Sequence, residues 1–212
     1  SSTSRGLGDV YKRQAQDITF GVKAGANFAS IGGDDGKDLD GFTSFLIGAT
    51  VEIPVSDTFS IQPEVLYSGQ GFTLDGIVED VPLTSGGVED IAHETTGRFD
   101  YLNIPIIAKF YLSEGLSLEA GPQIGFLLNS KYDAGGITLE SGQFAAETNN
   151  LIRESNKVDY GFNLGAGYQL NSGLNFNIRY YLGLADIPKG DTDGFKNSVF
   201  QVAVGYLSLI HI

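Results

Sequence analysis

Six charged residues stand in segments that carry few other charges: Lys23, Lys109 and Arg179 on the cationic side, Glu52, Glu64 and Glu119 on the anionic side. Each falls at a polar position of a run in which apolar residues alternate with small or polar ones. If such runs form strands, all six side chains point to the same side of the sheet. Two chemistries fit three cations and three carboxylates gathered in a confined space. They can neutralise one another as a salt-bridged plug, because a buried charge without a partner is strongly destabilising. They can also line a gated path for ions or protons. The balance of three against three favours the plug.

Other candidate chemistry is sparse. The chain has two histidines, His93 in EDIAHETTG and His211 near the end, and neither lies on an alternating segment beside a serine. A Ser/His nucleophile pair therefore has no evident components, and no enzymatic activity is expected. His93 with Glu94 or Asp90 is a candidate base or metal ligand, although a solvated loop histidine is the simpler reading. Carboxylates cluster in GGDDGKDLDG (Asp34, Asp35, Asp38, Asp40) and in GDTDG (Asp191, Asp193). Asp-x-Asp-Gly fragments resemble pieces of calcium loops, but neither completes the ligand ring with a glutamate at the required offset. They are read as solvated acidic loops, and no metal or cofactor is expected.

Composition narrows the class. The 212 residues suit one domain, and a formal charge of −13 disfavours nucleic-acid partners. There is no Cys, Met or Trp, while Gly, Phe and Tyr number 29, 14 and 10. No apolar run approaches the ~18 residues of a transmembrane helix. Residues 1–14 follow no pattern and are expected to be a non-native leader; residues 208–212 are expected to be a non-native tail.

The elements that must position the six charges alternate in apolar and polar residues over eight segments between 15 and 207. They are joined by short turns at 56–57, 113–115 and 171–173, and by long acidic loops at roughly 31–42, 71–97, 130–156 and 187–197. Loops 31–42 and 71–97 hold ten carboxylates against the single cation Lys37. Such period-2 alternation, with all short turns at one end, predicts an all-β fold: an eight-stranded antiparallel up-and-down transmembrane β-barrel. A soluble lipocalin-like barrel would alternate too, with the faces reversed. The polar face here is Gly, Asn, Ser and Gln rather than the Lys and Glu of a wet exterior. The apolar face places Phe20, Phe59, Phe110, Tyr168, Phe176 and Tyr206 beside the short turns, as an interfacial aromatic girdle does. Pro63, Pro105 and Pro122 interrupt strand patterns and are expected to mark bulges or wide twists. The loop 71–97 contains Ile77, Val78, Val81, Leu83, Val88 and Ile91. It is expected either to extend its two strands as a hairpin, offering a ledge to a protein partner, or to cap the barrel mouth.

The segments FGVKAGANFA (20–29), FSIQPEVLYSGQG (59–71), YLNIPIIAKFYL (101–112), LSLEAGPQIGFLL (116–128) and FNLGAGYQL (162–170) resemble the outer-membrane β-barrel family of Bacteroidetes that includes PorT-type proteins. The resemblance spans nearly all of 17–207, and it implies a barrel of OmpX or OmpA shape in the bacterial outer membrane. Contact with outer-membrane lipid and lipopolysaccharide follows from that location. Most members of the family have no assigned activity, so a structural or interaction role is the expectation: envelope integrity, adhesion or a part of a secretion apparatus. A narrow pore for small solutes is the alternative.

Overall fold

A computed structural model describes residues 18–32, 40–82, 88–134, 156–186 and 196–208. The proposed leader, the acidic residues Asp34, Asp38, Asp191 and Asp193, and His211 lie outside these residues, as do the side chains of Asp40 and His93. Eight strands follow in order: β1 (Thr19–Gly32), β2 (Asp40–Ser56), β3 (Phe59–Pro82), β4 (Val88–Tyr111), β5 (Leu116–Ala134), β6 (Val158–Gln169), β7 (Leu174–Asp186) and β8 (Lys196–Leu207). Each pairs antiparallel with the next, and β8 pairs with β1 from Gly21↔Leu207 to Gly32↔Lys196, closing the barrel. Closure removes every free strand edge inside a bilayer, where no water would satisfy one.

The β4–β5 and β6–β7 turns rest on Gly115 and Gly173, whose φ values of 82° and 90° lie where a side chain is strained. The carbonyl of each accepts a hydrogen bond from a strand end, Gly115 from Gln169 N at 2.8 Å and Gly173 from Leu207 N at 2.9 Å. The turns are thereby fastened to the wall.

The two faces separate polar from apolar residues in the sense opposite to that of a soluble protein. Lys23, Asn27, Glu64, Asn103, Asn163 and Arg179 are buried inside, whereas Val22, Phe45, Ile106, Leu118, Leu164 and Leu128 are about half exposed outside. An apolar surface continuous around the whole wall needs lipid rather than water as its solvent. The lipocalin-like alternative required the reverse arrangement and is set aside. A strand of twelve residues such as β6 rises ~3.3 Å per residue, which at ~40° tilt gives about 30 Å, the depth of a bilayer's hydrocarbon core. Phe20, Phe110, Tyr168, Phe176 and Tyr206 face outward beside the short turns, with Phe59 half-buried. Register places Phe59 opposite Phe110 and Tyr168 opposite Phe176.

One expectation is corrected, and one pair of alternatives is decided. The prolines do not mark bulges. Pro63 pairs with Ile106 and Leu66 with Asn103 in one register, Pro105–Gln123 and Ala108–Ala120 likewise, and Pro122–Phe162 lies in an unbroken run. A missing N–H removes a rung without lengthening either strand, so the ladder resumes in step; the register shifts fall elsewhere, for example between Asp100 and Tyr101. Of the two readings of segment 71–97, the described residues bear out the hairpin that extends its two strands. β3 and β4, of 24 residues each, continue as a ladder through Asp75↔Glu94 and Val78↔Ile91 up to Pro82↔Val88. Its β-branched residues favour extended backbone, and cross-strand pairing fixes it.

Ile178, on the outer face of β7 and 51% exposed, tests the inside-out reading. Ile178→Arg is expected to lower unfolding stability in lipid vesicles by about 2–4 kcal/mol, measured by urea titration; no loss would mean that this face meets water.

Candidate functional site

The lumen is filled by long polar side chains, and glycines on the inward parity make room for them. On β6, a Cβ at Gly167 would lie 2.7 Å from Asn177 Nδ2 and would also collide with a Glu119 carboxylate oxygen. Gly167 therefore clears the space in which those two side chains meet.

Glu64 on β3 is the centre of the network. Its Oε1 accepts from Lys23 Nζ of β1 at 2.8 Å, and from Gln62 Nε2 at 2.6 Å. Arg179 reaches it from β7, with NH1 3.0 Å from Oε2 and NH2 3.1 Å from Oε1. Arg179 NH2 also donates to Glu119 Oε2 of β5 at 2.9 Å, and Asn177 Nδ2 donates to Glu119 Oε1 at 2.7 Å. A second centre is Glu52 on β2, which accepts from Lys109 Nζ of β4 at 3.0 Å, from Ser60 Oγ at 2.8 Å and from the Tyr111 hydroxyl. Gln62 joins the two centres, because its Oε1 accepts from Lys109 at 3.2 Å while its amide nitrogen serves Glu64. Lys109 additionally lies 5.4 Å from the centroid of the Tyr111 ring.

All six charges identified from the sequence are thus within one connected cluster, and their side chains are no more than 7% exposed. Three positive and three negative groups cancel. Charge-assisted and bidentate contacts of this kind are the strong class of hydrogen bond. In an eight-stranded ring β3 and β7 stand on opposite walls, so the Arg179–Glu64 pair crosses the lumen. Every ion pair formed among the described residues belongs to this cluster.

Above the plug the polar lining continues with fewer charges. Asn27 Nδ2 donates to Ser68 Oγ at 2.9 Å and to Gly69 O at 2.8 Å, tying β1 to β3 across β2. Asn163 Nδ2 donates to Gln123 Oε1 at 3.1 Å. Asn197 Nδ2 bridges Gln70 and Asp159 Oδ2, the latter at 3.4 Å. Tyr181 packs with Ala29 and Val199. Asp159, a seventh buried ionisable group, makes no ion pair with a described residue.

The sequence signal for the charges was a lone charged residue at inward parity. The same parity holds Ser60, Gln62 and Asn177, yet nothing in composition shows that these neutral residues complete the cluster. Tyr111, which the sequence did not single out, turns inward to Glu52. The calcium candidates lie outside the residues whose side chains are described. Among the described residues no group of three or more His, Cys, Asp or Glu side chains is placed to hold a metal ion.

A closed barrel with an apolar exterior and a charge-neutral filled interior defines a small transmembrane β-barrel. Residues 14–188 match the family model of the outer membrane protein beta-barrel domain. The chain belongs to that family, and the protein resides in the bacterial outer membrane. It is similar in fold to Ail, the attachment invasion locus protein of Yersinia pestis (12% identity, 91% of this chain and 100% of that one, TM-score 0.49). It is also similar to Neisserial surface protein A (10%, 90% and 97%, 0.47) and to outer membrane protein W of E. coli (16%, 90% and 97%, 0.39). No curated protein matches the sequence.

The network sets up a charge-balance test. Glu64→Gln leaves Lys23 and Arg179 short of a carboxylate and is expected to destabilise the barrel by about 3–5 kcal/mol. Adding Lys23→Met restores two charges of each sign and is expected to recover part of that loss in urea unfolding. A double variant no more stable than the single one would show that the two groups are not coupled.

Proposed function

We propose that this protein is a sealed, non-catalytic barrel that works through its outward end, as a structural or interaction component of the envelope. The observation that carries this reading is the β3–β4 hairpin. Among the described residues, β2 follows β3 only as far as Asp40↔Thr73, and β5 follows β4 only as far as Thr95↔Ala134. Among the described residues, 74–82 and 88–94 pair only with each other, so a two-stranded ribbon continues past the described ends of β2 and β5. An open edge recruits a strand from another protein by main-chain hydrogen bonds. In a monomer with no partner it is a liability.

The filled lumen supports the same reading. A conducting path would need the Arg179–Glu64 and Lys23–Glu64 bridges to part, exposing charges that now neutralise one another. Adhesion, envelope integrity and service in a secretion apparatus all use an outward ledge. The finer assignment we favour is the PorT-type branch, supported by the QPE (62–64), NIP (103–105) and EAGPQ (119–123) segments. Their Gln62, Glu64, Asn103, Glu119 and Gln123 are buried in the lumen.

Replacing residues 74–95 with an Asn-Gly turn between Thr73 and Thr96, which already face each other in register, should leave the barrel folded. The shift in gel migration on boiling is expected to persist, while cross-linking to envelope partners in intact cells is lost. Undiminished cross-linking, or stepwise currents from the wild-type protein in planar bilayers, would overturn the proposal; the latter would favour the narrow pore.

A further inference from the structure

We propose that Arg98, Lys131 and Lys157 form a binding site for the phosphate groups of the glycolipid that makes up the outer leaflet. The inference rests on the outer-membrane location and names the lipid contact that the location leaves unspecified.

The first observation is the placement of charge. Among the residues whose side chains are described, seven are Lys or Arg. Lys23, Lys109 and Arg179 are consumed by the lumen. The other four, Arg98, Lys131, Lys157 and Lys196, are exposed, and all lie at the end of the barrel away from the short turns. At the short-turn end the exposed charged residues Asp57 and Glu114 are both acids. In a chain of net charge −13, a one-sided set of surface cations is a directional feature.

The second observation is that two of these cations are neighbours and a third lies further along the same sheet. Arg98 on β4 and Lys131 on β5 are register partners. Lys157, just before β6, accepts a hydrogen bond from Leu127 N through its carbonyl, which places it against β5 four residues, about 13 Å, along the strand from Lys131. Like charges set directly opposite on a sheet repel, and none of the three makes an ion pair with a described residue. Asp100, two residues from Arg98, instead accepts from Asn129 Nδ2 at 3.3 Å. Arg98 is positioned by the Phe42 ring, its guanidinium carbon 5.4 Å from the centroid. An anion bridging Arg98 and Lys131 would turn their repulsion into attraction, and a guanidinium matches phosphate geometry with paired N–H donors.

The third observation is depth. Arg98 lies twelve residues along β4 from Phe110 of the aromatic girdle, so at ~3.3 Å per residue and ~40° tilt it stands about 30 Å away, where a bilayer's headgroups begin. Below the cations the wall presents Phe126, Leu128, Val158 and Tyr160 outward. A ligand seated here meets cations at its head and apolar side chains along its tail, so the site fits an amphiphile with an anionic head. The outer-leaflet glycolipid carries phosphates at that level, and juxtamembrane cations attract such headgroups.

The test is lipid retention by the whole barrel, refolded in detergent and observed by native mass spectrometry in the presence of EDTA, so that no divalent ion can bridge acids to phosphate. The probes are bisphosphorylated lipid A, the same lipid A with its phosphates removed, and phosphatidylglycerol. The wild-type protein is expected to retain bisphosphorylated lipid A about ten-fold better than either of the others, with the preference weakened by salt. The variant R98Q/K131Q/K157Q is expected to lose that preference while keeping its gel shift on boiling, which separates loss of the site from loss of the barrel. Should the triple variant fail to fold, R98Q and K131Q alone are each expected to reduce retention about three-fold. Equal retention of the dephosphorylated lipid or of phosphatidylglycerol, or unchanged retention by folded variants, would overturn the proposal.

Discussion

Eight strands closed into a ring enclose a space only as wide as the side chains that fill it, and this constraint governs the rest of the structure. Any charge placed on the inner face must be answered within that space, because bulk water does not reach it. Glu64 answers two cations at once, Lys23 from β1 and Arg179 from β7. Its position fixes which inward neighbours are long and which are glycine, since Arg179 can span the lumen only where small residues leave room. The pairing partners of these side chains are far apart in sequence, 41 residues for Lys23–Glu64 and 115 for Arg179–Glu64. The network therefore fastens the first half of the ring to the second independently of the backbone ladder.

The same constraint gives the prolines a consistent setting. Pro63, Pro105 and Pro122 would be improbable in the interior of an ordinary sheet, yet each stands within one or two residues of a lumen group: Gln62 and Glu64, Asn103, Gln123. Their strands keep register through them. At Pro63 the side-chain contacts of Gln62 and Glu64 across the lumen supply stabilisation where the ladder lacks a rung.

The ends of the barrel differ in length, charge and shape. The short-turn end is closed by the glycine turns and the aromatic girdle. The other end carries the exposed cations and the extended ribbon of β3 and β4, whose residues 74–95 include six carboxylates and no Lys or Arg. A cationic ring at headgroup depth beneath an acidic ribbon suits a protein seated in an anionic leaflet that presents its hairpin beyond it. The two features act at different levels: the cations on lipid, the ribbon on whatever protein meets its edges.

Much of this was legible in the linear sequence, and the illegible part has definite causes. Strand alternation is local, so the eight spanning segments, the faces they present and the inward direction of Lys23, Glu52, Glu64, Lys109, Glu119 and Arg179 could be read from residue order. Period-2 parity cannot say which inward residues share a level, because that depends on register and tilt. Hence Gln62 as the link between two centres, Tyr111 as a partner of Glu52, and Asp159 as a buried carboxylate without a salt bridge to a described residue emerge only from the closed ring. The extended hairpin was legible only as one of two alternatives, because its glycines and carboxylates look like a loop, while cross-strand pairing overrides that composition. The prolines looked like bulges because the sequence shows the missing N–H but not the contacts that hold the register. Residue order determined the elements, their inside-out polarity and their membrane location, since each follows from local periodicity and the solvent it demands. The identity of each partner across the lumen, the reach of the ribbon and the gathering of Arg98, Lys131 and Lys157 were decided by tertiary structure, because only closure brings together residues that the chain keeps apart.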